Sequence, residues 1–449
     1  MPENTFLLNS DKAFSLGNCD NVTQDCDTLM LSKAEGRYIQ SGCYTSREFS
    51  APSFSQLIVS WNCDTPLRTA TQTEVRVRVN GEWTQWFSYG KWNTAICRHS
   101  QSAKGDSACL DTDTLIINGN SYADTFQLRV FLYTDDVQIS PRVYMLCTSV
   151  KELRKAANKC EPLNRSLPVP AYSQKVRNPK IADSISSPTA IAMLMNRHGE
   201  DILPEQAAHA CYDYACNSFD NKSFAMALVG AFGYEGYVAY SDTELLKKEI
   251  KNGYACAVSI KYTNKEQVST ENNLPFINDG TDCEKNHFVV VRGFTLENEI
   301  EYILINDCAA ESDEKAEKKY LLSQFENAWD GITYIFHQKR NNAGKFTPTQ
   351  QCAELVPSEP NGEYSLHIHG MRTSLPVDFC ESDGRCSGTV CYTVKNSLAY
   401  ASAAHKTFYY TDISLSGNVI LNSIYPADTK LTIYIISRTG NTMTAELRV

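Results

Sequence analysis

The sequence predicts an α+β domain flanked by two mainly antiparallel β-sandwich domains. Three observations carry this. Glu74-Val75-Arg76-Val77-Arg78-Val79 alternates valines with charges and runs into Asn80-Gly81, a hairpin signal. The middle of the chain turns to helical periodicity, as in Asp183–Gly199 and Asp242–Asn252. From Tyr364 to the end, short apolar runs separated by turn residues return. The resulting division is an N-terminal arm over 1–35, a sandwich over 36–150, the α+β domain over 165–340 and a second sandwich over 362–449. The linkers, 151–168 and 339–363, carry prolines.

Residues 1–35 are polar and aperiodic and read as a covering arm. Leu57–Trp61 is a buried strand; Phe126, Leu128, Val130 and Leu132 alternate again. Trp83, Trp86 and Trp92 either fill the sandwich core or a domain interface, or form a platform for a glycan or peptide. Lys151–Lys159 reads as a short helix. In the α+β domain, helices are expected over Pro204–Tyr212, Phe224–Phe232 and Asp242–Asn252, the last stopped by Gly253. Strands are expected at Tyr237–Tyr240 and Ala255–Ile260. The polar stretch Thr263–Lys285 is a long loop that can serve as a lid. C-terminal strands are expected at 364–368, 390–394, 408–411, 418–421, 431–437 and 443–449.

The net charge of −10, with no basic cluster, argues against a nucleic-acid partner. No apolar run reaches membrane-spanning length. Met1–Leu8 lacks a charged region followed by an apolar one, so the chain is expected to be cytoplasmic, non-classically exported or a trimmed secreted form. The 17 cysteines are odd in number and show no CxxC or zinc spacing; reduced thiols and a partial disulfide framework both fit. Cys380, Cys386 and Cys391 come closest to a cluster. His367 and His369 share a strand face but lack a third ligand, so no metal and no cofactor is assigned.

Chemistry concentrates in three stretches. Ser186-Ser187-Pro188 opens an apolar helix, with the serines as candidate caps and Pro188 in the first turn. A nucleophile there sits at the positive end of the helix dipole, which lowers a thiol pKa and stabilises anions. His287 begins the apolar run to Val291, and Asp307 ends the next run, Glu301–Asp307. A nucleophile, a base and an orienting carboxylate in that order suit acyl transfer.

Val169-Pro170-Ala171-Tyr172-Ser173-Gln174, Ser186-Ser187-Pro188-Thr189-Ala190, His287–Phe294 and Asn306-Asp307-Cys308-Ala309-Ala310 follow one another in the order of a known family. The stretch Val169–His337 resembles the papain-like cysteine peptidases that include the bacteriocin-leader-processing enzymes. The resemblance implies a papain-like α+β fold and peptide-bond hydrolysis through an acyl-enzyme. It implies His287 as general base and acid, Asp307 as its orienter, and Gln174 with a backbone N–H as oxyanion donors. It places Ser186 where the family has cysteine, and Cys308 where it usually has proline. Tyr212–Phe224 resembles the family's Tyr-Asp loop and is expected to line the groove.

Ser186 therefore has three explanations: an engineered replacement in an active enzyme, which ranks first because the other site residues are kept; a natural pseudopeptidase that binds a peptide or glycan; or a working serine variant. Cys211, Cys283 and Cys308 do not begin helices and are rejected as nucleophiles. An acyl transferase on the same fold is the remaining alternative. The expected partner is a peptide or protein substrate, with a glycan at the N-terminal sandwich as a second candidate.

Overall fold

The computed structural model describes residues 3–96, 98–153, 160–278, 280–281, 283–339, 352–359, 363–369, 389–395, 408–411, 418–420, 429–437, 439–440 and 442–448. Residues 154–159, most of the expected short helix, lie outside the described residues, as do Cys380 and Cys386.

The N-terminal domain is antiparallel β throughout. Its long strand Phe49–Asp64 pairs with Ala123–Thr134 near its start and with Arg142–Glu152 along the rest. The alternating Thr69–Val79 pairs with Ala123–Thr134, register Leu128↔Val75. The alternation works as expected: Val75, Val77 and Val79 are buried, and Arg76 and Arg78 face outward. The expected arm over 1–35 is corrected. Thr5–Leu8 pairs with Arg142–Glu152, and Val22–Asp25 and Thr28–Leu31 form a hairpin whose second strand also pairs there. At four residues each, these strands are too short to show a period.

In the central domain, α1 is Ser186–Arg197, α2 Pro204–Cys211, α3 Lys222–Ala231, β1 Tyr234–Tyr240, α4 Thr243–Asn252, β2 Cys256–Tyr262, α5 Glu266–Asn272, β3 Cys283–Glu297, β4 Ile300–Asp307, β5 Glu317–Leu321, α6 Leu322–Ala328 and β6 Trp329–Lys339. The sheet runs β1-β6-β2-β3-β4-β5, and Arg165–Ser166 also pairs with β3. The helix α4 starts and stops as read: Asp242 caps Leu245 N–H at 2.9 Å, and Gly253 takes φ 91°. The loop reading of Thr263–Lys285 is corrected in part, since it contains α5 and the buried Ile277 and its last residues enter β3.

The N-terminal domain covers the open edge of that sheet. β1 pairs with β6 on one side. On the other, Gly236, Val238 and Tyr240 donate their N–H groups to Asn62 Oδ1, Ser60 Oγ and Ser149 Oγ at 3.2, 3.1 and 2.9 Å. Side chains of one domain thus satisfy the backbone edge of the other and shield it from pairing with another chain. Trp61 and Trp92 pack their rings on Phe224 of α3 at 6.3 and 5.5 Å. Gly230 of α3 is required where it crosses Asn62, since a Cβ there would lie 2.5 Å from the Asn62 Cα. Phe224→Ala is expected to cost about 3–5 kcal/mol in guanidinium unfolding. A loss under about 1 kcal/mol would contradict a packed interface.

The C-terminal strands fall close to the expected ranges, with one addition: Cys352–Glu359, inside the expected linker, pairs with Glu363–His369. This domain seats at the start of α2 and on the segment ahead of α1. Leu203 packs with Cys391 and Ile436, Asn178 Nδ2 donates to Thr389 Oγ1 at 3.0 Å, and the Arg177 guanidinium lies 5.4 Å from the Phe408 ring.

Candidate active site

α1 starts without a side-chain cap. The serines were expected to cap it, but the cap position is Ile185 and neither hydroxyl turns back on the helix. Ser187 Oγ instead bonds Tyr334 Oη at 3.0 Å, and Ser186 Oγ accepts from the Phe288 N–H at 3.3 Å. Ser186 therefore lies against the backbone of β3 at the residue after His287. No side-chain cap occupies the amides at the helix start.

His287 leads the part of β3 that pairs with β2, register Ile260↔His287, and Asp307 ends β4, register Val289↔Asp307. The pairing brings the two side chains together: His287 Nε2 bonds Asp307 Oδ1 at 3.2 Å. Asn306, the neighbouring candidate, faces away and donates to the Val169 and Pro170 carbonyls at 3.2 and 3.1 Å. Gln174 is buried at 5% exposure. Its N–H donates to the Cys308 carbonyl at 2.7 Å and its Nε2 to the Ala182 carbonyl at 2.8 Å. It thus joins the segment before α1 to the end of β4, and the 3-10 turn Ala182–Ser184 folds the long intervening loop back.

The sequence did not reveal what surrounds Asp307. The carboxylate is fully buried, and its Oδ2 accepts from Thr281 Oγ1 at 2.8 Å, Tyr320 Oη at 3.1 Å and Tyr262 Oη at 3.2 Å. Ala309 N–H donates to Oδ1 at 2.9 Å. Burial alone pushes this acid up; the charge of His287 and the hydrogen bonds outweigh burial and hold it at about 2. Tyr262 and Tyr320 come from β2 and β5, so only the sheet order places them here. A tyrosine at the end of each strand was the sole available signal.

Two expectations follow. The folded value of about 2 lies below the ordinary 3.8. The stability that Asp307 contributes is then present above about pH 4 and lost as pH falls through about 2. Replacing both tyrosines (Tyr262→Phe with Tyr320→Phe) removes two donors and should raise the Asp307 value by about a unit or more. A carbon-13 titration of the carboxyl checks this; an unmoved value would show that the hydroxyls contribute nothing.

The rejected cysteines stay rejected where the structure describes them. Cys211 and Cys308 are fully buried, and burial pushes the Cys211 thiol up to about 12. Cys63, Cys147, Cys211 and Cys256 are buried and form no disulfide. Among the described residues no group of His, Cys, Asp and Glu is arranged to hold a metal. No helix among them is long and apolar enough to cross a membrane.

The reading of three tryptophans as one platform is corrected. Trp92 is fully buried beneath the domain interface. Trp83 and Trp86 are half-exposed, and arginines stack on them: Arg76 and Arg78 lie 4.4 and 4.5 Å from the Trp83 ring, and Arg76 and Arg129 4.8 and 4.3 Å from the Trp86 ring.

Comparison with known families matches two stretches of the chain. Residues 166–335 match the Peptidase_C39 like family. That segment is similar to this family. Residues 10–150, ahead of it, match the Peptidase C39 N-terminal domain, in keeping with strands that begin before residue 36. The C39-like segment has the papain-like fold, joined to a mainly antiparallel β N-terminal domain. Among solved structures, the peptidase domain of Streptococcus ComA, a bifunctional ABC transporter involved in a quorum-sensing pathway, is 12% identical. The match covers 38% of this chain and 98% of that one, with a TM-score of 0.26. Digestive procathepsin L 3 of Tenebrio molitor larval midgut is 13% identical over 41% of this chain and 73% of its own, TM-score 0.29. A CBM35 module from Cellvibrio japonicus Abf62 is 10% identical over 35% of this chain and 99% of its own, TM-score 0.17. Comparison with curated proteins gave no match.

Proposed function

We propose that this protein is a cysteine-type peptidase in which Ser186 occupies the nucleophile position, the chain as written being an inactivated form of an active enzyme. The C39-like segment supports the peptidase class. The observation that carries the site is the His287–Asp307 bond at 3.2 Å, with Ser186 against the next residue of the same strand. The proposed architecture is an α+β peptidase domain at 165–340 between two β-sandwiches, one reaching from before residue 36 to 150 and the other over 362–449 with the strand Cys352–Glu359 added.

The chemistry runs on a thiol at position 186. With Nε2 engaged by Asp307, proton exchange with position 186 falls to His287 Nδ1. The thiolate adds to the substrate carbonyl carbon, and the oxyanion is received by a helix-start N–H and Gln174 Nε2. The C–N bond breaks as the imidazolium gives its proton to the leaving amine. Water, deprotonated by His287, then cleaves the thioester to a carboxylate and regenerates the thiol. A serine hydroxyl cannot pre-ionise in this cradle, so the serine form binds peptide and turns it over poorly. The second reading, a peptide-binding pseudopeptidase, is favoured by the Ser186 hydroxyl alone.

The test is acid quenching of the Ser186→Cys protein with a peptide mixture, followed by intact mass analysis. A covalent acyl adduct that maps to position 186 and is lost with His287→Ala is the expected result. Peptide that binds both forms and acylates neither would leave only the binding reading.

A further inference from the structure

At the C-terminal end of α2 the N-terminal domain bonds directly to the peptidase domain. Arg98 is fully buried there. Its Nη2 donates to the His209 carbonyl at 2.6 Å and its Nε to the Tyr212 carbonyl at 3.3 Å. Its Nη1 holds the carbonyls of Asn93, Thr94 and Ile96 in its own loop at 3.2, 2.8 and 3.2 Å. A guanidinium at this end faces the negative pole of the helix and satisfies carbonyls that the helix leaves open.

The next two residues extend the clasp. Tyr214 N–H donates to the Arg98 carbonyl at 2.9 Å, and Ser100 N–H to Asp213 Oδ1 at 3.1 Å. Asp213 is buried and also accepts from Ala215 N–H and Asn221 Nδ2 at 3.0 and 2.8 Å. The His99 ring lies 5.9 Å from the Tyr214 ring.

The clasp holds a wall that begins one residue before position 186. Ile185 packs with Ala208 and Phe219, with Ile181 and Tyr212 at the margin. The Tyr212 ring is 4.7 Å from Phe219 and 4.8 Å from Tyr214, and both tyrosines are half-exposed. The wall is aromatic and apolar, and the domain ahead of the peptidase fixes its backbone.

We propose that Arg98 is a positioning residue for substrate selection: it lets the N-terminal domain set the Tyr212–Phe219 wall, which takes a bulky apolar or aromatic side chain beside the scissile bond. This rests on the peptidase reading above. A preformed wall loses less freedom when substrate binds, so its loss weakens binding more than it slows chemistry.

The experiment uses the full chain with Ser186→Cys and fluorescence-quenched peptides varied at each position around the bond. The parent should prefer apolar or aromatic residues at one position by about tenfold or more. Arg98→Met should raise KM for those peptides by about tenfold and flatten the preference, with kcat within about threefold. Arg98→Lys, which keeps a charged donor for the carbonyls, should recover part of the loss. His99→Ala, an exposed substitution, should move KM the same way by less. Iodoacetamide alkylation of the thiol introduced at position 186, which reports the site's own chemistry, should shift under about threefold in Arg98→Met. An unchanged KM and preference in Arg98→Met would overturn the proposal, as would a fall in kcat with slowed alkylation at constant KM. A parent whose introduced thiol alkylates fast but shows no apolar preference also overturns it and leaves the peptidase reading standing. A parent that neither cuts nor alkylates faster than a free thiol removes both.

Discussion

Ser186→Cys should raise peptide hydrolysis at least about a hundredfold over the serine form, the scale of a well-placed general base and a pre-ionised nucleophile. The position is buried at 7% exposure, at the start of a twelve-residue helix whose first amides no side chain caps. A thiolate there gains from the dipole and from a protonated His287. The larger sulfur must share space with the Phe288 N–H, which now donates to the hydroxyl at 3.3 Å. The same N–H donates to a thiolate at this position, and a hydrogen bond to the charged form stabilises it. Hydrolysis of a peptide library by both forms checks this, and Ser186→Ala sets the zero. Equal rates in the cysteine and alanine forms would contradict the assignment.

Asp307→Ala in the cysteine form should cost about a thousandfold or more in kcat/KM, as in other sites that lose the acid behind the histidine. Here the loss has two parts. His287 Nε2 loses its 3.2 Å partner, so the ring is no longer fixed. The hydroxyls of Thr281, Tyr262 and Tyr320 lose the oxygen they share and are left in a buried site. Asp307→Asn separates these parts: it keeps an acceptor oxygen but not the charge, and should fall between the cysteine parent and its alanine variant. A kcat/KM within about threefold for both variants, with circular dichroism unchanged, would show that the carboxylate orients nothing.

The residues that were legible in the sequence are those whose signal is local. The capped α4, the apolar α1 and the strand run after His287 each carry their period and stop signals within a few residues, and each fell where expected. Gln174, His287 and Asp307 were singled out by motif; the sheet register brings His287 to Asp307, and Gln174 N–H bonds the carbonyl of the residue after Asp307. What escaped is non-local. The serines looked like caps because their type and position suit capping, but Tyr334 and Phe288, over a hundred residues away, claim their hydroxyls. Glu317–Leu321 is a polar edge strand without a clear period, so Tyr320 could not be placed beside Asp307. The edge-covering side chains Asn62, Ser60 and Ser149 are ordinary strand residues until β1 of another domain meets them. Trp92 offered two readings, and only Phe224 across the interface decides between them.

The central claim is that position 186 lies in a thiolate-forming cradle coupled to His287. The most direct measurement is the pH dependence of iodoacetamide alkylation at position 186 in the Ser186→Cys protein, with and without His287→Ala, read by peptide mass mapping. The expected profile has a thiol pKa at least about one unit below the free value of ~8.5, and His287→Ala moves it back toward that value. An introduced thiol that titrates at or above the free value in both proteins would contradict the account.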